Sequence, residues 1–318
     1  MKVAVTGSIA YDYLMSFPGN FSEHFIPEKL DSISVSFLVD SLKKRRGGTA
    51  ANIAYSLALL GESPLLVGVV GLDFPDYGAA LKDAGVDLSG VKIITSEYTP
   101  SFFASTDNNG NQIAFFAQGA MRAASEVSLK EMNLEPGTIV IISPNDPKAM
   151  QMYVEECKEL GMKYIYDPGQ QIVRLEKDAL INGADGANIL IMNDYELSMF
   201  LKKTGLDKNE LSGLAETLIV TLGGKGSEII VNGETIKIPT APLTNIADPT
   251  GVGDAFRAGL LTGLLSHFSW ETAGRMGSLA AVYVLEQDGP QNHSYTKDEF
   301  FKRFLYAFPD FQEVKEIL

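Results

Sequence analysis

The stretch Ala247-Asp248-Pro249-Thr250-Gly251-Val252-Gly253-Asp254-Ala255-Phe256-Arg257-Ala258-Gly259 decides the reading of this chain. Gly251 and Gly253 keep the backbone bare just before the apolar run Phe256, Leu260, Leu261 and Leu264, whose spacing is helical. A helix that starts there leaves N–H groups unpaired, with the positive end of its dipole behind them. Such a start suits a phosphate or a developing oxyanion. Asp254 falls in the first turn, where a carboxylate faces the same place. An anion hole beside a carboxylate is an arrangement for phosphoryl transfer, in which the carboxylate orients a hydroxyl and takes its proton. The structural alternative is that Asp254 only complements the helix dipole. On this stretch alone that alternative leads, and the rest of the chain must decide.

The composition narrows the choice. With 318 residues and 45% apolar content, the chain has enough material for a large core. A net charge of −14 disfavours non-specific binding to nucleic acid. It also means that an anionic ligand must be held by local backbone amides and a few cations. Cys157, the single cysteine, cannot form an internal disulfide. With no signal peptide in the sequence, the expectation is a reducing cytoplasm. No apolar run reaches membrane-spanning length, so no membrane partner is expected. His24, His267 and His293 lack metal-ligand spacing, which disfavours a zinc site or a histidine-based nucleophile system.

Along the chain, Lys2–Val5 reads as a buried strand followed by the Thr6-Gly7-Ser8 loop. An irregular stretch with Pro18-Gly19-Asn20 and Pro27 precedes Ser32–Leu42, where Ile33, Val35, Phe37 and Val39 alternate and predict a strand. A helix runs to Leu60, with Gly61 ending it. Leu65–Val70 reads as a strand, followed by a helix to Ala84. Tyr98–Thr106 and Gln112–Ala117 read as strands joined through Asn109-Gly110, a hairpin signal. From Ile139 onward, short apolar runs alternate with helices, as in a parallel sheet covered on both faces. Asn232-Gly233 marks a second hairpin, and helices are expected over Gly253–His267, Thr272–Leu285 and Lys297–Tyr306.

The expectation is an α/β fold in a single domain over residues 1–318: a doubly wound, mostly parallel sheet with helices on both faces. A small antiparallel sheet comes from insertions near residues 11–44 and 97–118 and forms a lid or a dimer surface. Ligands of open parallel sheets sit beyond the carboxyl ends of the strands. Ser8, Asp12, Asp73, Asn145, Asp167, Gln170, Gln171, Asn193, Glu196 and Thr221 gather at that end.

Other nucleotide motifs are missing. There is no P-loop, since Gly223-Gly224-Lys225-Gly226-Ser227 lacks the first glycine at the required spacing. No Gly-x-Gly-x-x-Gly follows the first strand, and no Gly-x-Ser-x-Gly elbow is present. Three weaker elements remain, each with a structural alternative. Gly47-Gly48-Thr49-Ala50-Ala51-Asn52 reads as a tight turn with a small packing face, or as a binding loop. Thr221–Gly226 reads as a plain turn, or as a loop whose amides and Lys225 meet phosphates. Asn193-Asp194-Tyr195-Glu196 reads as a helix cap, or as a site where Glu196 holds Mg²⁺ through water with Asn193 near the phosphates.

Taken in order, these elements resemble the ribokinase family, also called the PfkB carbohydrate kinases, over nearly the whole chain. The resemblance includes Val67–Asp73 and Gly85-Val86-Asp87. It departs from the common pattern at Val252, where alanine is more usual. It implies the ribokinase-like fold, with Asp254 as catalytic base toward a primary alcohol attacking the γ-phosphorus of ATP. The amides of Gly251, Val252 and Gly253 would hold the developing charge. Ser8, Asp12 and Asn52, with the backbone at Gly48, would meet the sugar. Thr221, Gly223, Lys225 and Gly226 would line the ATP groove, with Gly289–His293 under its adenine. Many members bind a monovalent cation through backbone oxygens near positions such as Asp248 and Thr250, so the resemblance extends to K⁺.

Within the family, Arg257 after Ala255-Phe256, the Gly277–Glu286 segment and Asp167-Pro168-Gly169-Gln170-Gln171 resemble the ribokinase-sized bacterial adenosine kinases. The paired amides Gln170 and Gln171 would reach the base or ribose. Phe37, Phe102, Phe103, Phe115 and Phe116, with Met121 just after, supply flat apolar surface suited to a purine. Of these phenylalanines, Phe102 and Phe116 are expected to touch a base, while the others serve the lid's own apolar face or a dimer seam. A homodimer through the lid would bring Ser36 toward the other copy's site. The expected function is an ATP- and Mg²⁺-dependent nucleoside kinase acting on adenosine. A sugar kinase for ribose or a fructose phosphate is the alternative, with Lys43, Lys44, Arg45 and Arg46 as the cations it would need. A non-catalytic nucleotide- or nucleoside-binding regulator is the reading from another class, and the intact Asp254 argues against it.

Overall fold

The computed structural model describes residues 2–25, 31–32 and 34–317. Its strands and helices, in chain order, are β1 (Val3–Thr6), β2 (Ala10–Ser16), β3 (Ser41–Gly47), α1 (Thr49–Leu59), β4 (Leu65–Gly71), α2 (Pro75–Asp83), β5 (Asp87–Ile94), β6 (Ser101–Thr106) and β7 (Gln112–Ala117). The second half continues with β8 (Ile139–Ile142), α3 (Pro147–Leu160), β9 (Lys163–Tyr166), α4 (Lys177–Ala184), β10 (Ile189–Asn193), α5 (Asp194–Thr204), α6 (Lys208–Ser212), β11 (Thr217–Thr221), β12 (Ser227–Val231), β13 (Glu234–Ile238), α7 (Val252–Leu265), α8 (Trp270–Leu285) and α9 (Lys297–Ala307).

The continuous apolar runs make the central sheet. Its order is β13-β12-β11-β10-β9-β8-β1-β4-β5, parallel throughout except for the antiparallel edge β11-β12-β13. Strands such as β1 and β8 are buried nearly end to end, as parallel strands covered on both faces must be. One face packs on α3, α4 and α5 through Met150, Tyr153, Leu180 and Phe200. The other packs on α1 and α7 through Ile53, Leu57, Phe256 and Leu260. Helices α7 and α8 touch backbone to backbone, since a Cβ on Gly259 would fall 2.5 Å from the Met276 carbonyl oxygen.

The helix ends follow their sequence signals. Asp146 caps α3 by accepting from the N–H groups of Lys148 and Ala149, with Pro147 at the first helical position. Gly161 closes the same helix in the left-handed region, at φ 62°. Asn232 and Gly233 both have positive φ, 51° and 78°, as a two-residue hairpin turn requires.

The lid is a second sheet, ordered β3-β2-β6-β7. Its β2–β3 and β6–β7 pairs are antiparallel, while β2 and β6 run parallel to one another. The strand expected at Ser32–Leu42 lies further on, at Ser41–Gly47. Ile33 is outside the described residues, as is Pro27, and residues 34–39 form no strand. The alternation there is set against a stronger pairing. Lys43, Arg45 and Gly47 match Leu14, Asp12 and Ala10 across the ladder, so charged residues form the strand and the apolar ones lie outside it.

The chain leaves β1 toward β4 and β5 on one side and returns to β8 on the other. The order of the sheet therefore reverses between β1 and β8, where doubly wound sheets place ligands. Ser8 bonds across that point, its N–H donating to the Pro144 carbonyl at 2.9 Å.

Candidate active site

Helix α7 begins at the carboxyl end of the sheet. Gly251 precedes it at φ 79°, a conformation that favours glycine, and a Cβ there would lie 2.5 Å from Cβ of Pro290. Val252 N–H leans on the Pro249 carbonyl at 3.4 Å. Among the described residues, the N–H groups of Gly251 and Gly253 have no acceptor.

Asp254 lies in the first turn of α7, half-buried. Asn52, buried on α1, donates from Nδ2 to Asp254 Oδ2 at 2.8 Å. Behind Asn52 stands Gln291, whose Nε2 donates to Asn52 Oδ1 at 2.8 Å and to the Tyr77 hydroxyl at 2.6 Å. Tyr77 in turn donates to the Gly47 carbonyl at 2.8 Å. Burial raises the Asp254 carboxyl to about 7; Arg257 and the Asn52 hydrogen bond pull it down, and Asp167 and Glu196 push it further up. A carboxylate poised near neutrality is suited to take a proton from an alcohol.

The glycine pair packs tightly against the start of the chain. Gly48 has φ 93°, and a Cβ on it would lie 2.6 Å from both the Ala10 nitrogen and the Ser8 carbonyl oxygen. Ser8 supports the start of α1, with Oγ accepting from Thr49 N–H at 2.9 Å and its carbonyl accepting from Ala50 N–H at 3.1 Å.

Cross-strand register aligns the lid residues. Arg45, Asp12, Phe102 and Phe116 form one row across β3, β2, β6 and β7 and share a face of the sheet. Lys44, Tyr13, Phe103 and Phe115 form the next row, on the opposite face, where Tyr13 and Phe103 stack with centroids 4.8 Å apart. Asp12 packs against Gly47, which has no side chain in the way. Burial raises its carboxyl to about 6, Arg45 lowers it and Asp248 raises it.

Arg45 ties the lid to the body, with Nη1 on Asp248 Oδ2 at 2.5 Å and Nη2 on Asp288 Oδ1. The other Asp248 oxygen accepts from Thr250 N–H at 2.9 Å, so both carboxylate oxygens of Asp248 are engaged. Gly289 lies beside Arg45, and Gln291 on Asn52 and Tyr77. Among the described residues, no hydrogen bond joins Gly289–His293 to Thr221–Gly226.

Asn193 and Thr221 are register partners at the carboxyl ends of β10 and β11. Asn193 caps α5 in a reciprocal box, its side chain accepting from Glu196 N–H at 2.7 Å while Glu196 Oε2 accepts from Asn193 N–H at 2.8 Å. Burial raises the Glu196 carboxyl from its ordinary value, with Asp167 adding to the effect. Gly223 and Gly226 turn the chain at φ 56° and 88°, and Lys225 is exposed between them.

Gln171 is buried, with Oε1 lacking a donor among the described residues, and Gln170 is exposed. Asn145 is likewise buried, with Nδ2 unpaired. Met121 is closed off in the protein body, and Ser36 is exposed outside any strand. Among the described residues, no group of three or more His, Cys, Asp or Glu side chains is arranged to hold a metal ion, and no helix is long and apolar enough to cross a membrane.

Gln291 lies in the segment expected under the adenine, yet its side chain bonds to Asn52 and Tyr77, and Tyr77 was missed because no motif marks a residue that only supports another side chain. Asp167 was noticed as a polar residue at a strand end, but its partner Arg257 lies 90 positions away.

Residues 10–297 match the pfkB family carbohydrate kinase profile, and the chain belongs to that family of phosphotransferases with an alcohol acceptor. The nucleoside kinase of Methanocaldococcus jannaschii is 31% identical over 307 residues, which cover 95% of this chain and 96% of that protein. The solved structure of Burkholderia thailandensis nucleoside kinase in complex with inosine has a TM-score of 0.86 and 34% identity, covering 96% of this chain and 98% of that one. An ATP-dependent ribose-1-phosphate kinase of Halopiger xanaduensis is 27% identical over 261 residues, 80% of this chain and 85% of that protein.

Proposed function

We propose that this protein is an ATP-dependent nucleoside kinase that phosphorylates the 5′-hydroxyl, with adenosine as its preferred substrate. The observation that carries the reading is Asp254 at the start of α7, between the bare N–H groups of Gly251 and Gly253 and the Asn52 amide. Asp254 takes the hydroxyl proton as the 5′-oxygen bonds to the γ-phosphorus. The bond from that phosphorus to the bridging oxygen breaks, and ADP leaves with the electron pair. The Gly251 and Gly253 amides, with Val252 between them, stabilise the charge on the transferred group.

Asp12, Asn52, Ser8 and the Gly48 backbone receive the ribose hydroxyls. Phe102 and Phe116, on the lid face that carries Asp12, stack on the base. The unpaired Gln171 oxygen supports recognition of a hydrogen-bond donor on the nucleoside, with the exposed Gln170 beside it, whereas Met121, closed off in the body, makes no substrate contact. Thr221, Gly223, Lys225 and Gly226 line the nucleotide groove, and Gly289 is assigned to the adenine end of the same nucleotide. Glu196 keeps Oε1 outside the capping box and fits a role in holding Mg²⁺ through water near Asn193. When bound, Mg²⁺ neutralises charge on the β- and γ-phosphates. A K⁺ ion beside Asp248 and Thr250 would use their backbone carbonyls, since both Asp248 carboxylate oxygens are already engaged. A homodimer through the lid, with Ser36 facing the partner, agrees with the exposure of Leu38, Leu42 and Phe115.

A sugar kinase is the second reading, favoured by the cations of β3 and by the likeness to a ribose-1-phosphate kinase. A panel of adenosine, guanosine, inosine, cytidine, ribose and fructose 6-phosphate with ATP tests the choice. Adenosine should turn over fastest. Turnover of sugars alone overturns the nucleoside reading, and silence on the whole panel favours a non-catalytic binding protein.

A further inference from the structure

Arg257 and Asp167 form an ion pair beneath the start of α7. The Arg257 side chain hydrogen-bonds through two of its nitrogens, Nη2 donating to Asp167 Oδ1 at 2.7 Å and Nη1 to the Gly253 carbonyl at 2.8 Å, while Nε lies 2.5 Å from Oδ2 as an ion-pair contact without hydrogen-bond alignment. Both residues are buried, Asp167 to 1% and Arg257 to 8% exposure. A buried pair is weak stabilisation by itself, since desolvation offsets most of the attraction. Its geometry suggests another purpose.

Asp167 is fixed to the sheet, its N–H donating to the Ile142 carbonyl at 3.0 Å where β8 ends. Arg257 carries that anchor to Gly253. The Gly253 carbonyl and the Asp254 N–H belong to one planar peptide and point in opposite directions. Holding the carbonyl therefore aims the Asp254 N–H out of the helix start and fixes the backbone from which the carboxylate projects. A Cβ at Gly253 would lie 3.0 Å from Nη1, so a side chain there would press the guanidinium a few tenths of an ångström aside.

We propose that Arg257 is a positioning residue for phosphoryl transfer, anchored by Asp167 and holding the Gly253–Asp254 peptide in the geometry the reaction needs. The proposal rests on the kinase reading. It assigns Arg257 an effect on turnover separate from its part in stability.

The test compares Arg257→Lys, Arg257→Met and the double variant Asp167→Asn/Arg257→Met by steady-state kinetics and thermal melting, with wild type on the substrate panel as control. Arg257→Met strands a buried carboxylate and should melt well below wild type. The double variant removes both charges and should recover most of that loss. Its turnover should stay down by roughly a hundredfold, with the nucleoside KM within about threefold of wild type. Arg257→Lys keeps a charge for Asp167 but lacks the fork, and its turnover should fall likewise. If the double variant or Arg257→Lys regains turnover in step with stability, Arg257 is only a structural partner and the proposal fails. A wild-type chain silent on every substrate overturns the kinase reading, and this proposal with it.

Discussion

Asn52 and Asp254, 202 residues apart, are joined directly by a 2.8 Å hydrogen bond from the amide to Oδ2. The glycine-pair helix and the α7 start therefore form one centre, and the bond favours the charged form of Asp254. Asn52→Ala should slow turnover by about ten- to a hundredfold. It should also move the acid limb of the rate profile to higher pH, because the stabilised state is the carboxylate. A limb that stays in place or moves to lower pH contradicts this coupling.

The wild-type profile follows from Asp254 itself. With its carboxyl raised to about 7, kcat/KM should climb about tenfold per pH unit below neutrality and level off above it. Asp254→Asn should lose several orders of magnitude in turnover while still binding nucleoside, as checked by calorimetry. The stability sign runs the other way. A carboxyl whose folded value lies above its unfolded value stabilises most at low pH, and that contribution is lost as pH rises through the folded value. Asp254→Asn should therefore melt a few degrees above wild type at pH 8, with the gap closing toward pH 4.

Arg45 fastens the lid to the loop before α7 and to Asp288. Arg45→Ala should raise the nucleoside KM about tenfold with a smaller change in kcat, because a loosened lid weakens binding before it affects chemistry. Hydrogen exchange in β2 and β3 should rise in the same variant.

The two rows of the lid should separate by function. Phe116→Ala, in the row of Asp12, should weaken nucleoside use and leave any ribose phosphorylation unchanged. Phe115→Ala, on the opposite face and 68% exposed, should leave nucleoside KM alone and shift sedimentation toward monomer. Exchanged effects would place the substrate on the other face.

Gly251→Ala should abolish activity and cost about 1–3 kcal/mol in stability, since φ is 79° and the new methyl meets Pro290. Urea denaturation and the kinase assay measure the two effects separately.

Most of the architecture was legible because its signals are local. Apolar runs such as Ile139–Ile142, the Pro147 helix start and the two Asn-Gly turns each carry their own instruction. The strand β5 escaped notice because Asp87–Ile94 mixes exposed and half-buried positions and lacks a clean alternation. The lid strand β3 was misplaced because a ladder against β2 outweighs apolar alternation on an exposed sheet. In the site, glycines and Asp254 stood out by spacing. Tyr77, the reach of Gln291 to Asn52 and that of Arg257 to Asp167 did not, since each acts through a partner far along the chain.

That distance has a kinetic meaning. The surroundings of Asp254 depend on Asn52 from the first quarter of the chain, Asp167 near its middle and Gln291 close to its end. These contacts join distant parts of the chain, and the loop-closure entropy of such non-local pairings slows their formation. Recovery of activity during refolding should therefore lag behind recovery of helix signal, making turnover a reporter of the last stage of assembly.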